Sequence, residues 1–189
     1  MDHAEGRCPW CGTDPLYVHY YDTEWGVPEF DGRALWEKLV LDGFQAGLSW
    51  YTILKKRDNF RAAFAGFNPE IVATWGEAEV AALLQDTGIV RHRGKIEGTI
   101  AGAKAMLRIE ARQGFSNYLW QFMDGRPQIN RFAAMSEVPG ETEVSRRISK
   151  ALKAEGFNFC GPTIVYAFMQ ATGMVNDHLI GCPIRMAPT

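Results

Sequence analysis

Apolar positions recur at intervals of three and four residues along most of this chain, and alternation with period two is scarce. Leu35, Trp36, Leu39 and Val40 follow Asp31, a good cap for a helix start. Ser49 is placed to cap a second helix over Trp50 to Lys56. Asn68-Pro69-Glu70 starts a third, with Asn at the cap and Pro in the first turn. The same pattern predicts helices from Glu77 to Gln85, Arg93 to Arg112, Ser116 to Phe122, Thr142 to Ala154 and Pro162 to Thr172, the last two closed by Gly156 and Gly173. The expected fold class is all-α, in one domain over residues 1–189.

Two stretches break the pattern. The segment 8–28 reads as irregular and collects Trp10, Tyr17, Tyr20, Tyr21 and Trp25. The stretch Gly43-Phe-Gln-Ala-Gly-Leu-Ser49 reads as a loop between two helices. Aromatic rings with polar tips serve either as a half-buried lid over a core or as a stacking pocket for a flat ligand, and the pattern alone supports both.

The pair Glu77–Gln85 and Arg93–Arg112 forms a hairpin over 77–112, turning at Thr87-Gly88-Ile89. Gly88 is expected at positive φ there. The second helix starts with free amides and the positive end of its dipole, next to Arg91, Arg93 and Lys95. That combination reads either as a clamp for backbone phosphate or as a solvated basic turn.

Charge narrows the function. The formal net charge is −2, so nucleic acid would be held by local patches: Lys55 to Arg57, Arg91 to Lys95, or Arg146 to Lys150. No apolar run is long enough for a membrane span, and the first residues lack the order of a signal peptide, so a cytoplasmic location is expected. Of the four cysteines, Cys160 sits in an apolar run and reads as buried. Cys8-Pro-Trp-Cys11 and His178-x3-Cys182 each have the spacing of two zinc ligands, and a metal there would tether the two ends of the chain. A redox pair at Cys8 and Cys11, or four unrelated thiols, remain open alternatives.

Taken together, the blocks Asp14 to Tyr17, Asp22 to Pro28, Gln45 to Trp50, Thr52 to Arg57, Gly88 to Lys95, and Asn176 to His178 with Gly181-Cys182 resemble the 3-methyladenine DNA glycosylase I family of bacterial alkylation-repair enzymes. The resemblance runs from Arg7 to Cys182. It implies a helix–hairpin–helix glycosylase fold, with the termini joined by a structural Zn²⁺. It implies a monomer that acts on duplex DNA containing 3-methyladenine, without a membrane or a protein partner, and hydrolyses the N-glycosidic bond. It makes Trp50 the stacking platform, with Tyr20, Trp25, Tyr17 and Trp10 lining the pocket. Leu48 would fill the gap left in the DNA, and Gly88, Arg91, Arg93 and Lys95 would hold backbone phosphate.

Two departures bear on chemistry. Asp42 stands where the family has a glutamate that recognises the methylated base, and is shorter by one methylene, about 1.5 Å. A non-catalytic reader of alkyl lesions is therefore the alternative. Tyr21 stands where the family has a histidine ligand. Cys8, His178 and Cys182 supply three ligands, and Cys11, Tyr21 or water is left for the fourth. The chain offers no well-placed lysine nucleophile near the pocket motifs, so no lyase step is expected.

Overall fold

The computed structural model describes residues 6–184. Among them lie nine α-helices: α1 (Pro15–Thr23), α2 (Gly32–Gln45), α3 (Trp50–Ala63), α4 (Pro69–Val72), α5 (Glu77–Leu83), α6 (Arg93–Gln113), α7 (Phe115–Trp120), α8 (Glu143–Glu155) and α9 (Pro162–Ala171). A two-residue parallel pair joins β1 (Gln128–Ile129) to β2 (Val175–Asn176), with Gln128 opposite Val175. The mainly helical expectation holds, and Asp31, Ser49 and Thr142 cap α2, α3 and α8 through their side chains.

Three local readings need correction. The segment 8–28 is not irregular throughout, because α1 runs through it. Asp14 Oδ1 accepts hydrogen bonds from the amides of Leu16 and Tyr17, and Pro15 follows as the first helical residue. This is the cap-then-proline signal also seen at Asn68-Pro69, obscured by the density of rings. Helix α2 continues through Gly43 to Gln45, which leaves only 46–49 as loop. Gly88 is not among the glycines at positive φ. It is needed for space, since a Cβ there would lie 2.9 Å from Asp86 Oδ1 and 3.1 Å from Asn59 Cβ.

Helix α2 is central, packing on α3, α6 and α9. Its face Leu35, Trp36, Leu39 and Phe44 joins Phe60, Phe64, Phe67, Ile96, Ile109 and Phe168 in the main core. A second apolar cluster gathers Cys8, Cys11, Tyr20, Tyr21, Trp25, Leu54, Ala171 and Cys182. Trp50 packs against both, so the seam between the clusters falls at the start of α3.

Candidate active site

At that seam opens a cavity of about 220 Å³. Every aromatic residue expected to line a pocket does so: Trp10, Tyr17, Tyr20, Trp25 and Trp50. They come from a single 3₁₀ turn at Pro9–Cys11, from α1 and its exit, and from the first residue of α3. The rings brace one another. Trp10 meets Tyr17, Tyr21 and Trp25 edge-on at 5.3, 5.1 and 4.9 Å between centroids, and Tyr20 lies 5.4 Å from Trp50. Tyr17 stacks on Tyr51, whose hydroxyl donates to Asp14 Oδ2 at 2.6 Å, so the cap of α1 also fixes this wall. Burial pushes the Tyr17 phenol up to about 12, and burial with the nearby Asp42 charge raises that of Tyr20 well above its ordinary value.

Helix α2 delivers Asp42 to the cavity. It is 1% exposed. One oxygen, Oδ1, accepts from Lys38 Nζ at 2.5 Å, one helical turn away. The other, Oδ2, is buried and has no hydrogen-bond partner among the described residues, and neither has Trp50 Nε1. Lys38 Nζ also lies 3.6 Å from the centroid of the Trp50 ring. Burial pushes the Asp42 carboxyl above its ordinary value and the Lys38 ammonium below its own, and each charge opposes the shift of the other. An unpartnered acceptor at a cation-binding ring face is suited to a flat, positively charged ligand with a hydrogen-bond donor.

Three residues on the wall escaped sequence reasoning. Lys38 places an amine in a cavity where none was expected. Its signal was the i,i+4 spacing to Asp42 on one helix face. Asp177 and Gln170 also line the cavity. Asp177 is buried and fully engaged, accepting from Tyr166 Oη at 2.6 Å, Gln170 Nε2 at 2.8 Å and Asn130 Nδ2 at 2.7 Å. The β1–β2 pair brings Asn130 to it.

The surfaces expected to meet DNA are only partly as read. Leu48 is 44% exposed, on the 46–49 loop between Gln45 and Trp50, which both line the cavity. Gly47 before it has φ +84°, a conformation that favours glycine. The hairpin turn is braced from α3, with Lys56 Nζ donating to the carbonyls of Thr87 and Gly88. Arg91 is exposed beside it. Arg93 is exposed but pairs with Glu77 and Glu97. Lys95 does not face outward. It is 7% exposed, and its ammonium donates to the carbonyls of Phe44 at 2.9 Å and Ala46 at 2.7 Å, at the end of α2. The free carbonyls of a helix C-terminus attract a cation, and that demand outweighs solvent here.

The ends of the chain are tethered, but not in the arrangement of a zinc site. Tyr21 Oη lies 3.0 Å from Cys182 Sγ and accepts from the amide of Cys8 at 3.1 Å, while the amide of Leu179 donates to Cys8 Sγ at 3.4 Å. His178 packs edge-on against Tyr21 and Trp25 at 5.1 and 4.7 Å. Among the described residues, no three His, Cys, Asp or Glu side chains are grouped to hold a metal ion. The Tyr21 phenol stands among the expected ligands, and burial with its bond to Cys182 pushes its pKa far up, so it remains a neutral hydroxyl. Cys8, His178 and Cys182 meet at this junction without being drawn together as a ligand group. The redox reading is not supported. All four cysteines are free and buried, and burial raises the thiols of Cys8 and Cys11, which disfavours the reactive thiolate.

Fold and cavity together define a helical protein with a ring-lined slot, suited to a flat ligand, at the seam between two apolar clusters. Residues 10–186 match the methyladenine glycosylase family model, and the chain belongs to that family. It is 51% identical over 177 residues to DNA-3-methyladenine glycosylase 1 of Escherichia coli, covering 93% of this chain and 95% of the relative. It is 47% identical over 180 residues to DNA-3-methyladenine glycosylase of Haemophilus influenzae, covering 95% and 97%. Among solved structures, it superposes on 3-methyladenine DNA glycosylase I of Staphylococcus aureus with a TM-score of 0.95 at 36% identity, covering 99% and 100%.

Proposed function

We propose that this protein hydrolyses the N-glycosidic bond of 3-methyladenine in alkylated duplex DNA, without a lyase step, since Lys38 on the cavity wall is held as an ammonium by its ion pair with Asp42 rather than free as an amine nucleophile. The observation that carries this reading is the free, buried Asp42 oxygen in a ring-lined slot beside a tryptophan face that already binds a cation. Methylation at N3 makes the glycosylated base cationic and its bond labile. The protein therefore has little acid work to do. It must extrude the base, stabilise its charge and admit water to the sugar.

In this reading Trp50 is the stacking platform and the other four rings close the slot. Asp42 pairs with the positive base and accepts a hydrogen bond from it, while neutral adenine gains no such pairing. A desolvated cation on an aromatic face gains on the order of 2 kcal/mol. Leu48 would fill the vacated stack. The hairpin would hold phosphate through the first amides of α6 and through Arg91, with Arg93 limited by its carboxylate partners. Lys95 supports the loop and makes no phosphate contact. No step passes through a metal. Asp42 reaches the cavity despite its shorter arm, which favours turnover over lesion reading.

The test is to incubate the protein with methylated duplex DNA and identify the released bases by chromatography. Release of 3-methyladenine, with 7-methylguanine largely retained, is expected. Binding to the methylated duplex without base release would turn the reading to a lesion-binding protein.

A further inference from the structure

Lys38 already makes the two interactions that the substrate's charge is expected to make. Its ammonium lies 3.6 Å from the Trp50 ring centroid and ion-pairs with Asp42 at 2.5 Å. We propose that Lys38 is a built-in occupant of the base slot, which keeps Asp42 ionised until a methylated base displaces it and which returns after cleavage to expel the product. This rests on the glycosylase reading above.

The electrostatics require an occupant. A carboxylate that is 1% exposed is costly to leave charged and alone, and without a partner it would take up a proton. A protonated Asp42 could not neutralise a purinium. Lys38 holds the charge in readiness, and its side chain is only 16% exposed, so this pair is not a solvated helix-surface contact. Lys38, Asp42 and Trp50 all border the cavity, so an incoming cation meets an ammonium already in place.

The displaced ammonium has somewhere to go. A second cavity of about 250 Å³ shares Tyr20, Lys38, Trp50 and Ala171 with the first. It is bordered by Glu24, Glu29 and Glu37 against Arg57 and Arg61, three negative charges to two positive. Arrival of Lys38 would balance them. A rotation of its flexible stem, with the backbone of α2 fixed, is enough to exchange one cavity for the other.

Bond cleavage then reverses the preference. When the bond between C1′ and the base nitrogen breaks, the bonding pair stays with the base and cancels its positive charge. Water adds hydroxide to C1′ and its remaining proton leaves to solvent. Asp42 is left beside a neutral base, and re-pairing with Lys38 becomes favourable. Product release is thereby coupled to the charge lost in the reaction.

The experiment combines two readouts. In Lys38→Met, which keeps the apolar stem, inhibition by free 3-methyladenine should strengthen about tenfold, because no internal competitor remains. The acid limb of base release should move to higher pH, because Asp42 has lost the cation that lowers its pKa. Lys38→Arg should hold that limb near the parent position. In the unaltered protein, saturating 3-methyladenine should raise the rate at which acetic anhydride acetylates Lys38, read by mass spectrometry. An unchanged or weaker inhibition with an unmoved acid limb in folded Lys38→Met overturns the proposal, as does an acetylation rate indifferent to the base. A parent protein that releases no base overturns the glycosylase reading and this inference together. A parent that releases base beside an unaffected variant overturns this inference alone.

Discussion

At the scale of the residue, Asp42 and Lys38 are a coupled unit, and each is defined by the other. Asp42→Asn removes the partner of Lys38, whose ammonium can then turn to the carboxylates of the second cavity, so it should cost about 1–3 kcal/mol of stability, measured by denaturant unfolding. It should also lower kcat/KM for base release on the order of 10²-fold. Adding Lys38→Met should recover most of the stability and none of the activity, an outcome that separates folding from chemistry. In the unaltered protein, base release needs Asp42 ionised. Burial holds its pKa above the ordinary 3.8, so activity should fail on the acid side at a higher pH than an exposed aspartate would give. Asp42, Trp50 and the four further rings were named in the sequence by the family resemblance, while the ring pattern alone allowed a lid over the core as readily as a pocket. Lys38 was not legible, since a single lysine on a helix ordinarily faces water. Only the packing of α2 between two apolar clusters turns it inward.

At the scale of the element, the hairpin shows how far pattern carries. Its two helices were read from apolar spacing, and α5 and α6 lie where expected to within a turn. The direction of its cations was not legible, because the carbonyls that recruit Lys95 belong to α2, far away in sequence. Of the three hairpin cations, Arg91 alone is both exposed and without an ion pair among the described residues. Arg91→Ala should weaken DNA binding uniformly across sequences and reduce the salt slope by about one, measured by titration at several ionic strengths. The link between α9 and the α1–α2 connection is set by space. Gly173 has φ +66°, and a Cβ there would lie 2.4 Å from Pro28 N and 2.5 Å from Val27 C. Both contacts are backbone atoms that cannot turn aside, so Gly173→Ala should destabilise by more than about 3 kcal/mol, seen as a lowered melting temperature.

At the scale of the whole molecule, the chain closes on itself by hydrogen bonds and ring contacts at Cys8, Tyr21, His178 and Cys182. The sequence located this closure correctly, because cysteine and histidine spacing records where side chains can meet; it does not record what lies between them. If the thiols hold Zn²⁺, a chelator should lower the melting temperature and added Zn²⁺ should restore it; an unchanged melting temperature would show that hydrogen bonds and ring contacts suffice. Closure at the termini leaves the opposite problem, how the parts that touch DNA stay in register. Lys95 answers it by fastening the start of α6 to the end of α2, directly beside the loop that carries Leu48. On the proposed reading the protein would work as a caliper with its jaws locked: the span from a gripped phosphate to the Leu48 tip would be fixed before any duplex arrives, so each nucleotide passing through would be measured against a gauge and only the DNA would have to deform.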